Sequence, residues 1–141
     1  MAAPIIQHDP PHDPRDDPDH PIPSLAVIDV ATYKKGGGAD LFIIVASPLA
    51  ADQGSLTRLL DKIEGYLRHI LSEEFRTEAG VPSPENTSII VNLHSDSDRA
   101  AWDLVERSKA WVENNHASLR AEILKSHGPG GPSNNTLETD A

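Results

Sequence analysis

Leu41 to Ala46 is an unbroken apolar run, Leu-Phe-Ile-Ile-Val-Ala, with no position left for solvent. A run this short, rich in Ile, Val and Phe, predicts a strand buried on both faces. Ahead of it, Leu25 to Tyr33 reads as a first strand. Lys34-Lys35-Gly36-Gly37-Gly38-Ala39 then makes the flexible connection of a β-hairpin. After the run the period changes. Leu56, Leu59, Leu60, Ile63, Leu67, Ile70 and Leu71 recur at helical spacing. They predict one amphipathic helix from a Ser55 N-cap to about Phe75 or Arg76. Tyr66 flanks the apolar stripe, and Lys62, His69, Glu73 and Arg76 are placed opposite it. Gly80-Val81-Pro82-Ser83-Pro84 stops the helix. From Ser88 to His94 the pattern alternates: Ile89, Val91 and Leu93 point one way, Ile90, Asn92 and His94 the other. That predicts a third strand, at an edge or half covered. Ser95-Asp96-Ser97-Asp98 opens a second helix, with either aspartate able to cap it. Its buried stripe is Ala101, Leu104, Val105, Ser108, Trp111 and Val112. Asn114-Asn115-His116 is a weak spot, and Leu119 to Lys125 reads as helical again.

The order strand, strand, helix, strand, helix predicts an α+β fold. It is a small two-layer sandwich of a three-stranded sheet (ββαβα) with two helices. The first helix should return the chain so that strand three lies parallel to strand two. With the most apolar strand in the middle, the expected order is one, two, three. The alternative puts strand one in the centre of an antiparallel sheet, with Val27 meeting both Ile43 and Val91. In the central strand Leu41, Ile43 and Val45 oppose Phe42, Ile44 and Ala46, so both faces are apolar. Either the helices divide between the faces, or a second chain covers one of them. A homodimer is the expected outcome.

Composition trims the domain. Met1 to Pro23 holds seven prolines, five aspartates and three histidines, and is expected to be a disordered arm. His127 to Ala141 is expected to be a second disordered tail. A single domain of residues 24–126 remains, from which the tails should be removable at little cost. The formal net charge is −10. The domain has 15 acids and 11 bases, so −4 of that charge is its own and the tails supply the rest. With no basic stripe, nucleic acid is an unsuitable partner. The acidity is compatible with a basic protein partner, although a solvated acidic surface is its commoner meaning. The chain has no cysteine, which excludes disulfides, thiol nucleophiles and thiolate metal sites. No apolar run approaches the length of a membrane span, and the start does not read as a signal peptide. Neither a membrane nor a cofactor is expected, and the cytoplasm is the expected location.

Candidate chemistry is sparse. His94, Asp96 and Asp98 sit at a strand end in a His-x-Asp-x-Asp pattern that can surround a divalent ion. A strand exit followed by helix capping explains both aspartates without a metal and is the preferred reading. Asp29 interrupts an apolar strand, so it either faces solvent or is buried with a partner. The three glycines enter a strand, without the Gly-Lys-Ser/Thr of a phosphate loop. No nucleophile elbow, His-Glu-x-x-His or dinucleotide fingerprint occurs.

One resemblance adds to this reading. Val27-Ile28-Asp29, the glycine-containing hairpin, Leu59-Leu60-Asp61-Lys62-Ile63-Glu64-Gly65-Tyr66-Leu67 and Ile89-Ile90-Val91 resemble a family of small bacterial proteins of unknown function. In that family a hairpin precedes a helix carrying Leu-x-x-Lys-Ile-x-x-Tyr-Leu, then a strand and a last helix. The resemblance spans about Leu25 to Val112. It implies the element order already read and brings no catalytic residue. The expected function is that of a non-catalytic protein-interaction protein, working through an apolar sheet face or an acidic surface. An immunity-type protein that neutralises a basic toxin is one concrete form. The alternative is a small enzyme or metal-dependent binder using Asp29, His94, Asp96 and Asp98.

Overall fold

A computed structural model describes residues 16–124. Its elements are β1 (Val30–Tyr33), β2 (Ala39–Val45), α1 (Gln53–Ile70), α2 (Glu73–Ala79), β3 (Thr87–Leu93), α3 (Arg99–Glu113) and β4 (Ser118–Ile123). The sheet order is β1-β2-β3-β4. β1 pairs antiparallel with β2, and β2–β3 and β3–β4 are parallel. The fold is α+β as expected, with four strands instead of three. β1 pairs with β2 alone, so the arrangement with strand one in the centre does not occur.

The additional strand is β4, where a helix was expected. Leu119, Ala121 and Ile123 alternate with Arg120 and Glu122, a period of two that fits an edge strand. The reversal that launches it is the weak spot. Asn114 caps α3, and His116 takes a left-handed backbone at φ 74°. β3 is consequently interior and not an edge, and Ile90 is fully buried.

The expected first helix is two. Asp52, not Ser55, caps α1, accepting from the Ser55 amide at 3.0 Å. α1 ends at Ile70. Ser72 then starts α2 by accepting the Phe75 N–H. The break turns Phe75 into the core, against Tyr33 and His69.

Both long helices lie on one side of the sheet. Leu41, Ile43, Ile89, Val91 and Leu119 share a single buried cluster with Leu59, Ile63 and Ile70 of α1 and Ala101, Val105 and Val112 of α3. Burial of each Leu, Ile or Val among them contributes roughly 1.5–3 kcal/mol. The helices therefore do not divide between the faces. Successive crossovers step the sheet in one direction, and its other face meets no helix among the described residues.

Of the expected arms, residues 1–15 and 127–141 lie outside the described residues. The packed chain starts before Ser24: Ile22 is buried at 1% exposure, and His20 meets Ser55. Gly38 closes the hairpin end. Its amide donates to the Ala79 carbonyl, and at φ 88° a Cβ would stand 2.0 Å from the Asn86 carbonyl oxygen.

Candidate functional site

Asp29 is the first of the singled-out residues, and the structure gives it a partner. β1 begins only at Val30 because the chain before it leaves the sheet and runs along α1. Arg58, Lys62 and Tyr66 lie at i, i+4 and i+8, on one edge of that helix, and each binds this strap. Arg58 donates to the Ile22 and Pro23 carbonyls. Lys62, at 1% exposure, donates to the Ser24 carbonyl at 2.5 Å, the Val27 carbonyl at 2.8 Å and Asp29 Oδ1 at 3.0 Å. The expectation that Lys62 faces solvent is overturned. Its three donors satisfy what an unpaired buried ammonium would otherwise lack.

Tyr66 completes the join. Its hydroxyl accepts the Asp29 N–H at 2.8 Å and donates to the Phe42 carbonyl at 2.6 Å. Asp29 Oδ2 accepts the Ile44 N–H at 3.0 Å. Two side chains thus stand in for ladder bonds where the first strand peels away. Burial pushes the Tyr66 phenol well above the ordinary tyrosine range. Gly65 lets the strap lie close, since a Cβ there would be 3.1 Å from the Leu25 carbonyl. Apart from the Lys62–Asp29 pair, these side-chain bonds all go to backbone. The arrangement is that of a clamp.

A second constellation escaped the sequence reading. His20, Ser55 and Asp52 have the residue types of a nucleophilic triad, but the connectivity is that of a cap. His20 Nδ1 accepts the Ile22 N–H at 2.9 Å, which leaves the ring proton on Nε2, 3.0 Å from Ser55 Oγ. Ser55 Oγ in turn donates to Asp52 Oδ1 at 2.9 Å. The imidazole donates to the serine, so it is not placed as its base. Burial, then the Arg58 guanidinium, hold His20 below its ordinary value, whereas the Ser55 hydrogen bonds lower Asp52.

His94, Asp96 and Asp98 follow β3 as expected but do not converge. His94 Nδ1 accepts the Asp96 N–H at 3.0 Å, and Asp98 Oδ1 accepts from Ala100 at 2.9 Å to cap α3. Ser97 Oγ accepts the Leu49 N–H, and the Asp98 N–H donates to the Leu49 carbonyl, stitching this turn to the exit of β2. Among the described residues no group of three His, Cys, Asp or Glu is placed to hold a metal. Asp29 belongs to the other side of β2, with the clamp. A surface cleft of about 690 Å³ opens beside the start of α3, with Arg99, Trp102 and Asp103 on one wall and Ala121 to Ile123 on the other. Arg99 and Asp103 pair across one helical turn at 3.5 Å.

What remains is the face without helices. The register sets Val30, Phe42, Ile90 and Arg120 in one row across the four strands. A neighbouring row runs Ile44, Asn92, Glu122, and the row on the other side Thr32, Asp40, Ser88, Ser118. Ser88 and Ser118 bridge through their hydroxyls at 2.9 Å. The face is therefore an apolar centre of Val30, Phe42, Ile44 and Ile90 within a polar frame. None of these four belongs to the helix-side cluster. Val30 is 45% exposed, and Phe42 and Ile44 are half-buried, whereas Ile90 at 0% exposure lies beneath its neighbours and offers no surface. Among the described residues no helix is long and apolar enough to cross a membrane. No family model matches the chain, and neither the curated proteins nor the solved structures provide a match.

Proposed function

We propose that this chain is a non-catalytic protein-interaction protein that receives a folded protein on the helix-free face of its sheet. The observation that carries the reading is the apolar patch of exposed Val30 and half-buried Phe42 and Ile44, framed by polar residues. An apolar centre with a polar rim is the usual anatomy of a protein interface. The domain's acidic balance favours a basic partner. An immunity-type role, in which the partner is a basic toxin, is the concrete form, with the cytoplasm as its setting. A metal-dependent or enzymatic role for Asp29, His94, Asp96 and Asp98 has less support, because the Asp29, His94 and Asp98 side chains already bind backbone amides or Lys62 and the four do not converge.

The test is capture from native lysate by the full chain and by two variants. Val30→Glu alters an exposed edge position, and Phe42→Gln alters the centre of the patch. The expected result is a stoichiometric basic protein held by the wild type, released by high salt and lost from both variants, with the melting temperature unchanged for Val30→Glu and lowered for Phe42→Gln but still well above the assay temperature. Retention of the same partner by both variants would refute the face as the binding surface.

A further inference from the structure

β4 is the edge of the sheet, and among the described residues nothing pairs with its outer side. The Leu124 N–H donates to the Leu93 carbonyl at 2.8 Å. That bond fixes the parity of the strand. Backbone groups of the even-numbered residues turn to β3, and those of Leu119, Ala121 and Ile123 turn outward. The edge thus offers unpaired donors and acceptors, with Ile123 56% exposed beside them. Edge strands of this kind template pairing with another chain unless charge repels it.

The charges here do not repel a second copy. Arg120 and Glu122 are two residues apart on one face, and their side chains pair at 2.6 Å. We propose that two copies of the chain join β4 to β4, antiparallel, about a twofold axis at Ala121. In that register Arg120 stands opposite the partner's Glu122, and Glu122 opposite the partner's Arg120. Leu119 stands opposite the partner's Ile123. The outward backbone groups of Ala121 meet those of the partner's Ala121 as a hydrogen-bonded pair. Moving the axis to Arg120 or to Glu122 sets like charges against each other, and a parallel in-register pairing does the same. Charge therefore selects both the occupant and the register. The opposite edge, β1, is only four residues long.

The axis stands perpendicular to the sheet. Both helix layers then lie on one side, and the two helix-free faces form one continuous surface. The dimer does not depend on what binds that surface. Val30→Glu and Phe42→Gln are expected to leave it intact, so failure of the partner reading and failure of the dimer are separate results.

Sedimentation equilibrium of the full chain over a wide concentration range tests the proposal. The mass should rise from 15.2 kDa toward twice that value. Arg120→Glu and Glu122→Arg should each weaken the dimer by about tenfold or more, since each sets like charges opposite at two symmetry-related places. The double exchange Arg120→Glu/Glu122→Arg should restore wild-type association. Both side chains are about half exposed (51% and 48%), so circular dichroism melts of all three variants should match the wild type at concentrations where every chain is monomeric. A chain that stays at 15.2 kDa throughout overturns the proposal. So does a dimer that neither single variant weakens, or one that the double exchange fails to restore.

Discussion

Lys62→Met removes the centre of the clamp while keeping most of its aliphatic stem. The Ser24 and Val27 carbonyls and one oxygen of Asp29 lose their donor. Breaking a buried ion pair by removing one partner costs about 3–5 kcal/mol, and an orphaned buried acceptor about 1–3 kcal/mol. Two features reduce the sum. The Asp29 side chain is 25% exposed and keeps the Ile44 N–H, so water and backbone retain part of its solvation. Methionine also needs no desolvation of a cation. The net expected loss is about 3 kcal/mol, or roughly 10–15 °C in melting temperature for a domain of this size. Urea unfolding gives the energy. Hydrogen exchange at the amides of residues 24–29 gives the location, because the strap should lose protection before the sheet. Adding Asp29→Asn should cost less in the Lys62→Met background than in the wild type, by about 1 kcal/mol of coupling. A loss under about 1 kcal/mol, or unchanged protection of the strap, would refute the clamp.

Tyr66→Phe should cost about 1–2 kcal/mol in urea unfolding, because the Asp29 N–H and the Phe42 carbonyl both lose the hydroxyl. With the phenol raised in the folded state, stability is complete below the unfolded tyrosine range and falls as pH rises above about 10. A tyrosinate absorbance titration should show one of the two tyrosines ionising only with unfolding. His20 has the opposite sign. Its value is lowered, so the unfolded chain binds the proton first, and stability should fall as pH drops through about 6.5. His20→Gln should flatten that part of the profile measured by thermal melts. Gly38→Ala should cost about 3 kcal/mol or more, from strain at positive φ plus the clash with Asn86. Gly36→Ala, with nothing within 4 Å of its Cβ, should change stability by less than about 0.5 kcal/mol in the same assay.

The parts of the fold legible in the sequence are those where one period excludes the others. Leu41 to Ala46 has no reading but a buried strand, and the α1 stripe has no reading but a helix. β4 was lost because Leu119 and Ile123 fit i, i+4 as well as i, i+2, and a short edge strand has too few positions to decide between them. The division of α1 from α2 was written locally: Ser72 followed by two glutamates and Phe75 is a start signal inside an apparently continuous stripe. Asp98 was legible as a cap because its hydrogen bond is local. The clamp was not. Periodicity assigns Lys62 to a helix edge, but its partners lie 33 to 38 residues upstream and are mostly carbonyls, which carry no residue-type signal. Within the Leu-x-x-Lys-Ile-x-x-Tyr-Leu pattern, Lys62 and Tyr66 are the two positions an amphipathic stripe alone would not demand, and they are the two that bind the strap.

That separation along the chain has a kinetic consequence. The hairpin and the crossover can assemble without the strap, whereas the strap gains its contacts only once α1 is in place. Closing a loop of more than 30 residues onto a finished helix is a late event. Perturbing Lys62 should therefore leave the refolding rate nearly unchanged and appear in the unfolding limb of the chevron, as a φ-value near zero. On a ribosome the strap would emerge before α1 and yet be among the last segments to lock, and the clamp would set how long the folded chain lasts and not how quickly it forms.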